Sequence, residues 1–197
     1  MIWIALAAIA VALVLLVWRG RGRSDAASHP AVGQRLAFAQ LELLTGEASP
    51  ISAEQLHGQV TLINFWGPWC DPCKYEMPHL VRMREKFAAR RDVQFLFVSC
   101  SPHWQPNTPP ALGWSEDVPQ LRASTAELLA QHDYNIPTYV DPHGKTRQAF
   151  AGLDAWEGYP TTLLIDRDGV IRYVAIGYVP GDEYTLEEEL RKLIDVK

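Results

Sequence analysis

The chain opens with an unbroken apolar run at residues 2–18, followed by mixed apolar and polar patterns. As an α-helix, this run would reach about 25 Å, close to the thickness of a bilayer core. Trp3 and Trp18 stand at its ends, where interfacial aromatic residues are typical. We therefore expect a single transmembrane helix within an anchor and basic collar at residues 1–23. A short tether at 24–33 and a folded domain at 34–197 would follow.

The periodicity after residue 34 predicts an α/β domain. An N-terminal β-hairpin is expected from the alternation at 36–44 and the turn at 45–47, before a helical turn at 52–56. Apolar and β-rich runs predict the strands, and apolar residues spaced three or four apart predict the helices. The predicted strands are 60–66, 93–99, 136–140, 158–166 and 170–176. The predicted helices are 74–90, 121–132, 145–151 and 185–194.

Charge and cysteine content narrow the possible functions. The net charge of −5 comprises an excess of three positive charges in the first 23 residues and −8 in the remainder. A protein that coats nucleic acid needs clustered Lys and Arg, so we expect no nucleic-acid partner. Three cysteines are too few for a disulfide scaffold, which leaves redox chemistry, metal binding or burial as their uses.

Two of the cysteines, Cys70 and Cys73, stand between a predicted buried strand and a predicted helix. At the start of a helix, unpaired N–H groups and the macrodipole stabilise a thiolate, and a cysteine three positions on can close a small disulfide. Half of a zinc site is the plain alternative, but no matching second pair is present. A copper site completed by His132 or His143 stays open. The context favours redox chemistry, with no metal and no cofactor beyond the disulfide.

Three motifs resemble the membrane-anchored thioredoxin-like proteins of the TlpA and ResA type. They are Gly-Gln-Val-Thr-Leu-Ile-Asn-Phe-Trp at 58–66, Trp-Cys-Asp-Pro-Cys-Lys-Tyr-Glu-Met-Pro at 69–78, and Tyr-Pro-Thr-Thr-Leu-Leu-Ile-Asp-Arg-Asp-Gly at 159–169. The resemblance covers residues 33–195. It implies a thioredoxin fold with an inserted αβ unit at about 120–141. It also implies thiol–disulfide exchange outside the cytoplasm, often during cytochrome c maturation.

Carried over motif by motif, the resemblance implies roles for individual residues. Cys70 corresponds to the attacking thiol and Cys73 to the resolving thiol. Glu76 matches an acid near the thiols that could move protons, whereas Asn64 stands where thioredoxins carry a buried Asp. An ordinary solvated helix acid is the alternative for Glu76. The expected substrate-binding residues are Trp69, Tyr159, Pro160 (as a cis-proline) and Thr161.

The expected function is exchange of disulfides with partner proteins, with the chain acting as a reductant. No nucleotide or flavin motif is present, so a membrane-bound or soluble thiol protein would supply the electrons. A peroxiredoxin-like peroxidase is one alternative, although Gly67 stands where that family carries Thr before its cysteine. A copper metallochaperone is the other alternative, although such carriers on this fold usually space their cysteines by three residues.

Three features leave the expectation open. Arg19, Arg21 and Arg23 follow the span, and the positive-inside rule would keep that side in the cytoplasm, whereas the resemblance favours a periplasmic domain. Cys100 is either an inert buried thiol or a third redox thiol. The Pro-rich segment at 101–120 is either a packed excursion or part of a partner-docking surface.

Overall fold

The computed structural model describes residues 29–38, 40–102, 117–153 and 158–196. Six strands form one mixed sheet in the order β1-β4-β3-β2-β5-β6. The strands are β1 (Glu42–Thr45), β2 (Val60–Trp66), β3 (Val93–Ser99), β4 (Thr138–Val140), β5 (Thr161–Ile165) and β6 (Ile171–Ile176). The helices are α1 (Asp71–Lys86), α2 (Val118–Gln131), α3 (Lys145–Ala151) and α4 (Asp182–Asp195), with a 3₁₀ turn at Ala53–Leu56.

Strand direction determines which loops meet at one edge of the sheet. β2, β3 and β4 run parallel, whereas β5 lies antiparallel to β2 and β6 antiparallel to β5. Trp66 therefore pairs with Ser99, and Phe65 pairs with Thr161. The C-terminal ends of β2 and β3 and the N-terminal end of β5 consequently lie side by side.

The central strand β2 is buried on both faces, as its apolar run predicts. Leu62 and Trp66 point into a core shared with α1 and α4, whereas Ile63 and Phe65 point into a second core with Phe150 of α3. This alternation follows the two-residue period of a strand. The sheet therefore separates a face that carries α1 from a face that carries α3.

The thioredoxin-like α/β fold is confirmed, with shifts at the ends of several elements. The helix predicted from the apolar spacing at 74–90 spans Asp71–Lys86, and Cys70 is its N-cap, which confirms the predicted position of this cysteine at a helix start. The strand predicted from 158 begins at Thr161, after a loop that contains a cis Tyr159–Pro160 bond. The predicted inserted unit is present as α2 and β4, which lies parallel to β3.

The predicted N-terminal hairpin is wrong. β1 pairs antiparallel with β4, and Glu42 lies opposite Val140. A single bridge between Leu41 and Ile51 is the only hairpin-like pairing of this segment in the described residues. Leu44 is fully buried against Val140 and Leu121 of α2, so pairing with the inserted unit gives β1 an apolar contact.

At the N-terminus, the predicted span at residues 2–18 lies outside the described residues. In the part of the chain that the structure describes, no helix has both the length and the apolar character needed to cross a membrane. The last part of the predicted tether packs on the domain. Ala31 is fully buried, His29 stacks on Phe150 and the Gly33 N–H donates to the Ile171 carbonyl.

Candidate active site

The cysteine pair lies at the sheet edge where β2, β3 and β5 meet. Cys70 and Cys73 form a disulfide, with an S–S distance of 2.08 Å and Cα atoms 5.3 Å apart. Cys70 caps α1, and its Sγ accepts the backbone N–H of Cys73 at 3.3 Å. Once the bond is reduced, the same N–H and the helix dipole favour the Cys70 thiolate. The local geometry therefore suits a nucleophilic sulfur at position 70.

Glu76 lies one helical turn beyond Cys73 and is buried, at 5% exposure. Asn64 Nδ2 donates to its Oε2 at 2.9 Å, and Thr162 Oγ1 donates to its Oε1 at 3.2 Å. Asn64 also donates to Thr162 at 2.8 Å, because the two residues face each other across β2 and β5. The acid of α1 is thus held by one amide and one hydroxyl of the sheet.

This environment changes the acidity of Glu76. Burial raises its pKa from 4.5 to about 7, against the lowering effect of the hydrogen bonds from Thr162 and Asn64. The negative charge of Asp182 raises the pKa further. A group with a pKa near 7 can hold or release a proton at physiological pH, which a solvated glutamate cannot do efficiently. The structure therefore places a buried carboxyl with a raised pKa one helical turn from Cys73.

An aromatic rim borders the disulfide. Trp69 is 41% exposed, and its ring meets Tyr159 edge-on with centroids 5.3 Å apart. Its Nε1 donates to the Cys100 carbonyl at 2.8 Å. A Cβ at Gly67 would lie 2.3 Å from Trp69 Nε1, so the indole occupies the space that a side chain at 67 would need. Thr at this position, as the peroxidase alternative requires, is incompatible with the observed rim.

Behind the rim lies a buried polar network. Arg147 is fully buried, and its Nη1 donates to the Tyr159 hydroxyl at 3.2 Å. Asp141 is its acidic partner, and burial raises the pKa of that carboxyl. The Tyr159 hydroxyl also shares a hydrogen bond with the Cys100 thiol, and burial raises the tyrosine pKa. Cys100 is fully buried and outside the disulfide, which favours the inert interpretation of this thiol.

A groove of about 610 Å³ opens beside Trp69, between the start of α1 and α2. Pro68, Trp69 and Lys74 form one side, and the α2 residues Gln120, Ser124 and Glu127 form the other. This volume lies within the range of typical ligand clefts. The Pro-rich segment at 101–120 is predicted to be either a packed excursion or part of a docking surface. Residues 103–116 of this segment lie outside the described residues.

The predicted site residues fall into two groups. Cys70, Cys73, Trp69, Tyr159 and the buried cis Pro160 belong to the sheet edge described above, and Glu76 lies one turn further along α1. Thr161 is fully buried and its hydroxyl donates to the Gly158 carbonyl at 2.6 Å, so its side chain stabilises the loop.

Sequence reasoning missed Thr162, Arg147 and Asp141. In the sequence, each is a charged or hydroxyl residue in or beside a predicted strand or helix. Such residues are common there and do not by themselves indicate a functional site. For the copper alternative, His132 stacks on Tyr134 at 5.3 Å, and the described residues contain no group of three or more His, Cys, Asp or Glu suited to a metal.

The chain is similar to several characterised proteins. It is 28% identical over 159 residues to the thioredoxin-like protein YneN of Bacillus subtilis, covering 80% of this chain and 78% of that one. It is 24% identical to the thiol-disulfide oxidoreductase ResA of Bacillus thuringiensis, covering 75% and 70%. The structure of StoA from B. subtilis superposes with a TM-score of 0.56 at 22% identity, covering 81% and 98%, which shows the shared fold.

A thioredoxin-like fold with a disulfide at the start of α1 defines a thiol–disulfide exchange protein. The AhpC/TSA family model matches residues 32–174, and the chain belongs to that family. Within it, the resemblance to ResA is confirmed, and the chain is a ResA-like thiol-disulfide oxidoreductase.

Proposed function

We propose that the chain reduces disulfide bonds of partner polypeptides outside the cytoplasm, with Cys70 as nucleophile and Cys73 as resolving thiol. The observation that carries this proposal is the Cys70–Cys73 disulfide at the start of α1, one turn from the buried Glu76. The groove beside Trp69 supports a polypeptide as substrate, because it offers room for several residues next to the residue that precedes Cys70.

The reaction proceeds by two exchanges. The Cys70 thiolate attacks one sulfur of the partner disulfide, forming a mixed disulfide and releasing the partner's other sulfur as a thiolate that takes up a proton. Cys73 then loses its proton and attacks Cys70 Sγ, which restores the Cys70–Cys73 disulfide and releases the second partner thiol. Two electrons and two protons pass to the partner, and a thiol protein restores the dithiol.

Glu76 serves the second exchange in this scheme. A thiol is a poor nucleophile until it is deprotonated, and Cys73 is almost fully buried. A carboxylate with a pKa near 7 is suited to accept that proton at physiological pH. Asn64 and Thr162 hold the carboxyl in place. The TlpA/ResA resemblance assigns the partner's backbone to the segment at 159–161, around the cis Pro160.

Trapping the mixed disulfide tests the assignment of the two cysteines. The Cys73→Ala variant should accumulate a covalent adduct with a disulfide-containing peptide, whereas the Cys70→Ala variant should not. The Cys100→Ala variant is the matched control and should turn over normally. Peptide mapping by mass spectrometry should place the adduct on Cys70. An adduct on Cys100, or one that forms without Cys70, would contradict the proposal.

We also propose that residues 2–18 anchor the domain on the periplasmic face. The apolar run and the TlpA/ResA resemblance support this placement, and the resemblance extends it to partners in cytochrome c maturation. Arg19, Arg21 and Arg23 argue for the opposite side. A reporter enzyme that is active only in the periplasm should be active when it is fused after Lys197. Activity confined to a cytoplasmic reporter would reverse the proposed topology.

A further inference from the structure

Arg147 is a charged residue whose burial calls for an explanation. Its side chain is fully buried in α3, on the face of the sheet opposite α1. A buried ion is costly unless it is paired and hydrogen-bonded. A buried ion pair is also no more stabilising, as a rule, than apolar residues of similar volume. Stability alone therefore does not explain an arginine at this position. The hydrogen bonds that the arginine makes suggest a different role.

The guanidinium is fixed relative to the start of α3. Its Nη2 donates to the Asp141 carbonyl at 3.2 Å, and its Nε lies 3.8 Å from Asp141 Oδ2. That same carboxylate oxygen accepts the backbone N–H groups of Thr146 and Arg147 at 2.9 and 3.0 Å. Backbone and side-chain contacts together therefore orient the forked donors, and Nη1 reaches the Tyr159 hydroxyl.

Tyr159 connects this anchor to the active-site rim. The residue directly precedes the cis Pro160 and packs against both cores of the domain. Its ring meets Trp69 edge-on, and Trp69 in turn donates to the carbonyl of Cys100. Three separate segments, at the ends of β2 and β3 and the start of β5, are thus joined to α3 through one tyrosine hydroxyl.

We propose that Arg147 is a positioning residue that holds the Tyr159 hydroxyl and thereby fixes the Trp69–Tyr159 rim on which a partner polypeptide docks. This inference rests on the proposed reduction of protein disulfides and assigns one determinant of substrate binding. Trp69 immediately precedes the nucleophile and is partly exposed, so its orientation affects contacts with the chain that flanks a partner's disulfide. A small disulfide needs only access to the Cys70 sulfur and no docked rim.

The test compares a peptide with a small disulfide on the full chain. The peptide carries an intramolecular disulfide with four residues on either side and a fluorescence readout, and the small disulfide is 5,5′-dithiobis(2-nitrobenzoate). Tyr159→Phe removes only the hydroxyl and should raise the peptide KM about tenfold, as expected for a lost charge-assisted hydrogen bond. Arg147→Gln should do the same. Tyr139→Phe, a buried tyrosine of β4, is the matched control and should leave the KM within twofold.

Two further readouts separate positioning from general structural damage. In the Arg147→Gln variant, the rate with the small disulfide should stay within twofold of wild type. The midpoint potential of the Cys70–Cys73 pair should not change in that variant. The double variant Arg147→Gln/Tyr159→Phe should have a peptide KM close to that of Tyr159→Phe, because that single substitution already removes the Arg147–Tyr159 hydrogen bond. Arg147→Lys keeps the positive charge but lacks the planar guanidinium. This variant should fold even if Arg147→Gln does not, and its peptide KM should stay raised.

The outcomes are distinguishable. A Tyr159→Phe variant with the wild-type peptide KM would overturn the inference. An Arg147→Gln variant that loses the small-disulfide rate in parallel with the peptide rate would also overturn it. If Arg147→Gln does not fold, Tyr159→Phe and Arg147→Lys still decide the result. A wild-type protein that reduces the small disulfide but no peptide would overturn the proposed function, and this inference with it.

Discussion

Replacing Glu76 by Gln should change how the stability of the domain depends on pH. In the folded protein, burial raises the pKa of Glu76 from 4.5 to about 7. The raised pKa means that the folded state binds the proton more tightly than the unfolded chain. Its contribution to stability is therefore complete below pH 4.5 and is lost as the pH rises through 7. A shift of this size corresponds to about 3 kcal/mol in the free energy of unfolding.

The measurement is equilibrium urea unfolding of the full chain, with the cysteine pair oxidised, between pH 4 and pH 8. Wild type and Glu76→Gln share every other titrating group, so their difference isolates residue 76. We expect wild type to lose about 3 kcal/mol relative to the variant across this range. The control Glu187→Gln should shift the opposite way, because the hydrogen bond from Lys86 lowers the pKa of Glu187. A difference between wild type and Glu76→Gln that does not vary with pH would refute the reasoning.

Two other substitutions test the packing of the site. Gly67→Ala should displace the Trp69 indole, because the new Cβ would lie 2.3 Å from its Nε1, and should cost about 1–3 kcal/mol in urea unfolding. An unchanged unfolding midpoint would show that the indole moves freely. Thr162→Val removes a hydrogen bond that lowers the pKa of Glu76. The midpoint at which the Glu76 carboxyl band titrates in infrared spectra should therefore move to higher pH. The control Thr125→Val, at a buried threonine hydrogen-bonded to Ser99, should leave the titration midpoint unchanged. A midpoint at lower pH in Thr162→Val would contradict the expectation.

The position of the reactive groups could be predicted from sequence because it depends on neighbours along the chain. A buried strand, a short turn and a helix bring Cys70 to a helix start. One helical turn then separates Cys73 from Glu76. The acidity of Glu76 could not be predicted in the same way. It depends on Asn64 and Thr162, which are 98 residues apart and meet only when β2 and β5 pair.

Two other features lay beyond local patterns for similar reasons. The alternation at 36–44 marks a strand but does not identify its partner, and β1 pairs with β4 across almost a hundred residues. Arg147 lies in a short helical segment where arginine usually faces water. Its burial becomes visible only when Tyr159, twelve residues later, is placed beside it.

The asparagine at position 64 has a consequence for the balance of protons in catalysis. Described residues include two buried carboxyls, Glu76 and Asp141, and Asp141 is committed to the first turn of α3. Among the described residues, Glu76 is therefore the one buried carboxyl near the cysteines that is free to store a proton. Reduction of the partner's disulfide takes up two protons. The Cys73 thiol supplies one of them and, because Cys70 reacts as a thiolate, the other must come from the solvent. The domain thus transfers two electrons per turnover but holds only one of the two protons on a buried group. Its turnover therefore depends on solvent access for the second proton.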